Sequence, residues 1–96
     1  MRTAARVDAN QAEIVAAFRK FGCSVGLTHT VGKGFPDLVV AKNFKTVLVE
    51  VKDGQKVKSA QALTQDEKKF HGEWQGIVLI VTCLGDVIDA VRGLDK

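Results

Sequence analysis

The sequence predicts an α/β fold, a mixed β-sheet flanked by helices, with the element order α-β-β-β-α-β-α. Three observations predict this class: apolar residues at helical spacing near the start, two β-rich runs that adjoin a short turn, and an unalternating apolar run, residues 77–81, after a second helix. A strand reached through a helical crossover is expected to be parallel to its neighbour and buried on both faces.

The first part of the chain contributes a helix and a strand. The helix is predicted over residues 8–21, because apolar residues recur on one face, Asp8 or Asn10 can cap its start and Gly22 suits its C-terminal cap. A short and partly polar strand is predicted over residues 24–30. Lys33 then lies between two glycines in a flexible connection.

The rest of the chain contributes a hairpin and three further elements. Residues 38–42 and 45–52 are β-rich and adjoin Asn43-Phe44, which predicts a hairpin. Thr64 and Glu67 form the pattern of a capping box where the second helix begins. The remaining elements are a lysine-bearing loop over residues 55–63, a helix over 64–74, a strand over 77–82 and a closing helix over 86–92.

Length and composition predict a single globular domain over residues 1–96. Hydrophobic residues make up 46% and charged residues 26%, which is ordinary for a soluble protein. No apolar run is long enough to cross a bilayer and no signal-peptide pattern is present, so we expect a cytoplasmic protein without membrane association. The net charge of +3 permits a polyanionic partner without requiring one. Cys23 and Cys83 are too few for a zinc site and are expected to be structural thiols.

The hairpin places three chemically active side chains on one face of the sheet. If the turn is centred between Asn43 and Phe44, Asp37 pairs with Glu50, and Lys52 emerges on the same face two residues later. Opposed carboxylates repel each other, and a divalent cation such as Mg²⁺ or Mn²⁺ removes the conflict. Lys52 can then orient or deprotonate a water molecule, or stabilise charge on a phosphate.

Another interpretation of the same residues stays open. An E-x-K pattern on a half-exposed strand is most often a surface ion pair, which contributes little. A β-bulge that shifted the hairpin by one residue would also separate Asp37 from Glu50.

The same residues resemble a known nuclease pattern. Pro36-Asp37, twelve intervening residues and Glu50-Val51-Lys52 are similar to the PD-(D/E)XK signature of the restriction-endonuclease-like superfamily. The wider sequence resembles the small VRR-NUC nucleases, which occur as stand-alone proteins in phages. The resemblance implies a restriction-endonuclease-like core and an Mg²⁺- or Mn²⁺-dependent endonuclease. It also implies that Asp37 and Glu50 bind the metal, with the Val51 carbonyl as a third ligand, and that Lys52 is the catalytic lysine.

The resemblance extends to the two predicted helices. Glu13 matches an acidic residue that many members bring to the metal, although a solvated helix residue is an equal alternative. At the start of the second helix Glu67 stands where members carry glutamine, so Gln65 can supply the amide while Glu67 only caps the helix. Three lysines are expected to contact DNA phosphates: Lys33, Lys56 and Lys58.

Histidines and aromatic residues receive weaker predictions. His29 and His71 have no partner at metal-ligand spacing, so both are expected to be structural or exposed. Phe70 and Trp74 lie at helical spacing, which favours core packing or a subunit interface over base stacking.

The expected function is therefore a metal-dependent endonuclease that hydrolyses DNA phosphodiester bonds. The resemblance and the small size favour a homodimer that acts on branched DNA such as Holliday junctions, in a bacterial or phage-infected cell. Two other classes stay open. One is a non-catalytic DNA-binding module, and the other is a nuclease-accessory subunit of a phage replication or restriction complex.

Overall fold

Four β-strands form one sheet in the order β1-β2-β3-β4 in the computed structural model, which describes residues 8–96. β1 and β2 are antiparallel, as are β2 and β3, whereas β3 and β4 are parallel, so the predicted mixed sheet is confirmed. The elements are α1 (Gln11–Lys20), β1 (Ser24–Leu27), β2 (Leu38–Lys42), β3 (Lys45–Val51), α2 (Lys58–Gln61), α3 (Gln65–Glu73), β4 (Val78–Val81) and α4 (Leu84–Leu94).

The order differs from the prediction by one helix, because residues 55–63 are not entirely loop. The Ala60 N–H donates to the Val57 carbonyl at 2.9 Å, and this closes the single turn of α2. The Gln61 side-chain amide donates to the Lys56 carbonyl at 2.6 Å and ties the turn to the preceding chain. No apolar periodicity marks a helix this short, so local hydrogen bonds decide it.

The predicted hairpin register is confirmed. Lys42 pairs with Lys45, and the ladder continues to Leu38 opposite Val49. Asn43 and Phe44 form the two-residue turn with φ values of 55° and 63°. Two consecutive positive φ values match the twist of a tight hairpin, although Phe is an unusual residue for that backbone.

The first strand is shorter than predicted, because the chain turns after Leu27. The Val31 N–H donates to the Thr28 carbonyl at 3.0 Å, which makes a turn of residues predicted as strand. Thr28 then holds the returning chain. Its hydroxyl donates to the Pro36 carbonyl at 2.7 Å and its N–H to the Asp37 carbonyl at 2.8 Å. These bonds set the position of Asp37 immediately before β2.

The hydrophobic core lies on one face of the sheet, between the strands and helices α1 and α4. Alternate residues of β3 point into it, since successive strand side chains point to opposite faces. α1 contributes Ile14 and Phe18, and α4 contributes Val87 and Val91. The strand residues in the core are Leu38, Val40, Val47, Val49, Val51 and Val81. The other face of β3 carries Leu48 and Glu50, and α3 approaches it near the carboxyl end of the strand.

The expectation that residues 77–81 are buried on both faces is wrong. β4 is parallel to β3, as predicted, but it lies at the edge of the sheet. Ile77 is 60% exposed and Ile80 is 46% exposed. An edge strand has a neighbour on only one side, and a continuous apolar run does not distinguish that position from a central one. The expectation of a buried thiol holds for Cys23, whereas Cys83 is exposed.

The loop before β2 packs directly against the N-terminal end of α3. Gly34 has a φ of +80°, and a Cβ atom at this position would collide with the Asp66 carbonyl. Phe35 contacts Phe70 edge-to-face, with ring centroids 5.1 Å apart. None of the helices within residues 8–96 is long and apolar enough to be a membrane span.

We expect Gly34→Ala to destabilise the protein more than Gly32→Ala does. Gly32 has a φ of +85°, but a Cβ atom there would meet no other atom within 4 Å, so its substitution adds only the cost of a left-handed backbone, about 1 kcal/mol. Gly34→Ala adds a backbone collision and is expected to cost roughly 2–4 kcal/mol. Urea unfolding of both variants measures the difference, and equal destabilisation would contradict the contact with Asp66.

Candidate active site

Asp37 is fixed by the backbone of the neighbouring strand. It lies just outside β2, since the ladder ends at Leu38 opposite Val49. Its Oδ2 accepts a hydrogen bond from the Val51 N–H at 2.8 Å, which points the carboxylate across the end of β3 towards Glu50. The side chains of Asp37 and Glu50 line the same cavity, and the negative charge of Asp37 acts on Glu50. The predicted neighbours therefore meet, through side chains at the end of the ladder.

Glu50 is a buried carboxyl group with an unsatisfied oxygen. It is 3% exposed, and its Oε1 has no hydrogen-bond partner. Burial, reinforced by the negative charge of Asp37 and then of Glu67, raises the pKa of Glu50 to about 9. Burial likewise raises the pKa of Asp37, although the Val51 N–H opposes the shift. Two such groups need a proton or a cation between them at neutral pH.

Lys52 supplies a positive charge at the same place. Its Nζ lies 2.8 Å from Glu67 Oε1 and 3.7 Å from Glu50 Oε2, and the residue is 8% exposed. Burial alone would lower the pKa of Lys52. The hydrogen bond to Glu67 and the nearby negative charges outweigh it, so the pKa lies above the ordinary lysine value. Lys52 is thus an ammonium at neutral pH, which favours stabilisation of charge over removal of a proton from water.

Glu67 connects helix α3 to the end of strand β3. Its Oε1 accepts from the Thr64 N–H at 2.9 Å, and its own N–H donates to the Thr64 hydroxyl at 3.2 Å, so the predicted capping box is confirmed. The same oxygen accepts from Lys52. Burial would raise the pKa of Glu67, but the bonds from Lys52 and Thr64 lower it below the ordinary glutamate value. Glu67 therefore caps the helix and also holds Lys52.

These groups line one cavity of about 640 Å³. Helix α2 and the start of α3 form the wall that faces the strand end. Asp8 also lines the cavity and lies 3.5 Å from the Lys56 ammonium. The lining residues are Asp8, Asp37, Glu50, Lys52, Lys56, Ser59, Ala60, Ala62, Thr64 and Glu67. Because Glu50 and Lys52 are buried at this cavity, the interpretation of a half-exposed surface ion pair is wrong.

The remaining predicted site residues lie elsewhere. Glu13 is exposed and lines a different cavity, with Asp53 and Cys83. Gln65 is exposed at the first position of α3 and is not among the residues of the site cavity, where Glu67 stands instead. Of the predicted DNA-binding lysines only Lys56 lines it. The other two are exposed, Lys33 in the loop before β2 and Lys58 on α2.

Asp8 and Glu67 are the two acidic residues whose place in the cavity the sequence does not predict. The capping-box pattern identifies Glu67 as a helix-capping side chain, but nothing in the sequence places that cap beside Lys52. Asp8 lies before α1, where the sequence indicates only a helix cap. Its position depends on how α1 packs against the sheet, which residue spacing does not report.

The donor set fits a small divalent cation completed by other ligands. Within residues 8–96 no group of three or more His, Cys, Asp or Glu side chains is arranged to hold a metal ion alone. Mg²⁺ usually takes only one or two protein carboxylates and retains water or substrate oxygen for the rest. Asp37 and Glu50 provide two carboxylates, and the unpartnered Glu50 Oε1 is an oxygen without a competing hydrogen bond.

Comparisons of this chain with protein-family models, with curated proteins and with solved structures find no match. The resemblance to the PD-(D/E)XK nucleases therefore depends on the residues themselves and stays a prediction.

We expect Glu50→Gln to become more stabilising as pH rises in metal-free buffer. In the unfolded chain Glu50 loses its proton near pH 4.5, whereas in the folded protein it keeps the proton up to about pH 9. Folding therefore retains a proton between these values, and the stability of the parent protein falls as pH rises through this window. Glutamine removes this loss, so the variant should gain stability relative to the parent as pH rises from 5 to 8, by up to about 4 kcal/mol at 1.36 kcal/mol for each pH unit.

The measurement is urea unfolding of both proteins in EDTA at several pH values. Glu73→Gln is the matched control, because Glu73 is exposed at the end of α3. The difference in free energy of unfolding between Glu73→Gln and the parent should change little with pH. If Glu50→Gln also gave a constant difference, Glu50 would titrate normally in the folded protein.

Proposed function

We propose that this protein is a metal-dependent nuclease that hydrolyses phosphodiester bonds in DNA. The observation that carries the proposal is the group of Asp37, Glu50 and Lys52 at one open cavity, with a Glu50 oxygen that has no hydrogen-bond partner. A buried carboxyl group, Glu50, beside the half-buried Asp37 lowers the stability of the folded protein. Ionisable groups with perturbed pKa values are common at sites that carry out chemistry.

Asp37 and Glu50 would hold Mg²⁺ or Mn²⁺. When bound, such an ion polarises a phosphoryl oxygen and makes a water molecule more acidic. The Val51 N–H keeps Asp37 oriented without using its second oxygen, because this hydrogen bond involves only Oδ2. The position of Glu50 on β3 is set by the sheet itself. Both carboxylates are therefore positioned before any ligand arrives.

Lys52 would stabilise the negative charge that develops on the phosphate. An ammonium that is held by Glu67 and kept away from water loses little freedom when a phosphate enters. Lys56 lies on the cavity wall and is available for a second phosphate contact once it leaves Asp8, because that ion pair is partly exposed and therefore weak. Glu13 and Gln65 have no part in this arrangement.

Branched DNA and a homodimer are part of the same proposal. The resemblance to small VRR-NUC nucleases supports both. The size of the chain supports the dimer. Each chain carries one group of Asp37, Glu50 and Lys52, and cutting two DNA strands at a junction needs two such sites. DNA structure would be read mainly through the phosphate backbone.

We expect cleavage of a labelled four-way DNA junction in the presence of Mg²⁺ or Mn²⁺. Lys52→Ala and Glu50→Gln should reduce the rate by roughly 100-fold or more, since the first removes the charge that stabilises the phosphate and the second removes a ligand of the metal. Lys20→Gln, an exposed charge on α1, is the control and should cleave at the parent rate.

Equal cleavage by the parent and the site variants would identify a contaminating nuclease and contradict the proposal. DNA binding without cleavage under either metal would instead favour a non-catalytic binding module. Activity that emerges only after a partner protein is added would favour an accessory subunit.

We also expect Mn²⁺ or Mg²⁺ to raise the melting temperature, because an ion that binds only the folded state stabilises it. At one hundred times the dissociation constant the gain is about 2.7 kcal/mol. Asp37→Asn and Glu50→Gln should abolish the shift, and EDTA should reverse it. Glu13→Gln should retain it, because Glu13 lines another cavity. Loss of the shift in Glu13→Gln would instead support the role that the resemblance assigns to that residue.

A further inference from the structure

A group of three aromatic rings lies next to the candidate active site and is not fully buried. Trp74 stacks on Phe70, with ring centroids 5.1 Å apart and an interplanar angle of 19°. Phe35 meets both rings edge-to-face. Trp74 nevertheless remains 45% exposed. The core packing expected for Phe70 and Trp74 is therefore wrong: the rings pack on each other outside the hydrophobic core, and much of the indole surface stays exposed.

Two lysines line a cavity of about 330 Å³ together with Phe70, the ring on which Trp74 stacks. The cavity is lined by Lys33, Asp66, Lys69, Phe70 and Glu73. Within the described part of the chain, no carboxylate lies within 4.0 Å of the Lys33 or Lys69 ammonium, although two acidic residues share the cavity. Both cations are exposed, so they are available to an anion from solvent.

Helix α3 joins this cavity to the site cavity. Thr64 and Glu67 at its start line the site, and Lys69 and Phe70 in the next turn line the second cavity. Glu67 and Trp74 are seven residues apart, which corresponds to about 10 Å along a helix. A nucleic-acid strand covers that distance in about three steps of 3.4 Å.

We propose that Trp74, Lys33 and Lys69 form a subsite for an unpaired nucleobase and its phosphate, on the same strand as the phosphate that occupies the candidate active site, about three nucleotides away. This rests on the proposed function, which supplies nucleic acid as the ligand. An exposed aromatic face beside unpaired cations is the combination by which single strands are bound. In a duplex the faces of a base are covered by its neighbours, so the base at Trp74 must be unstacked.

The subsite selects strands that have left a duplex. At a branch point or a frayed end a base can reach Trp74 without the cost of unstacking, whereas a continuous duplex must first be opened. In this proposal one side of α3 supplies part of the proposed preference for branched DNA.

Trp74 is the only tryptophan of the chain, so its fluorescence reports the subsite directly. The experiment titrates the protein with a twelve-residue oligothymidylate in EDTA, where a metal-dependent reaction is silent. Binding should quench the emission, and a continuous duplex of equal length should quench it much less. Anisotropy of a labelled oligonucleotide gives the affinity of variants that lack the tryptophan.

Trp74→Ala should weaken oligothymidylate binding by roughly 5- to 100-fold, the range expected for one stacked base. Trp74→Phe, which retains an aromatic face, should recover most of the affinity. Lys33→Gln and Lys69→Gln should each reduce the slope of log affinity against log salt concentration by about 0.7. Lys20→Gln is the matched lysine control and should leave the slope unchanged.

Three binding results would overturn the subsite: an absence of quenching, equal quenching by the duplex, or unchanged affinity of Trp74→Ala. A fourth is tryptophan emission that changes with protein concentration and not with oligonucleotide, as expected if a second copy of the chain covers the indole. Cleavage of the junction in Mg²⁺, measured in parallel, tests the proposed function separately. Cleavage with unchanged binding by Trp74→Ala refutes the subsite and supports the nuclease. A loss of affinity in Trp74→Ala, measured by anisotropy, without cleavage by the parent under either metal, supports the subsite and contradicts the nuclease.

Discussion

The burial of Glu50 beside Asp37 is the constraint around which the candidate active site is arranged. A carboxyl group at 3% exposure, next to another, raises the free energy of the folded state unless a proton or a cation accompanies it. The chain compensates in part: the Val51 N–H supports Asp37, and Lys52 lies 3.7 Å from Glu50. What remains uncompensated is one oxygen, Glu50 Oε1, and it is the feature that gives the cavity its affinity for a cation in our proposal.

Strand β3 separates stability from function because its side chains alternate between the two faces. Val47, Val49 and Val51 enter the core against α1 and α4, while Glu50 and then Lys52 belong to the cavity. A core that packs on one face can hold the strand rigidly while the other face carries charges that would be costly in a core. Site residues held by such a strand need no ligand to reach their positions.

Helix α3 completes the site through its N-terminal end. One oxygen of Glu67 accepts hydrogen bonds from both the Thr64 N–H and the Lys52 ammonium. The side chain that caps the helix therefore also positions Lys52. Gly34 permits the close approach of the loop to this end of the helix, because no side chain fits against the Asp66 carbonyl. The same helix then presents Trp74 and Lys69 beyond the cavity, which connects the proposed chemistry to the proposed strand-binding subsite.

The sequence by itself determined the α/β class, the strand register and the Asp37, Glu50 and Lys52 group, because these follow from local patterns. A two-residue turn sets the pairing of its own hairpin, and alternation along a strand sets which side chains share a face. It also predicted the capping box of α3, which lies within four residues. Only the tertiary structure decided that Glu67 reaches Lys52, that Asp8 lines the cavity while Glu13 does not, and that β4 is an edge strand. These three features depend on how separate helices and strands pack against one another. The spacing of residues within one element does not determine which other elements lie beside it.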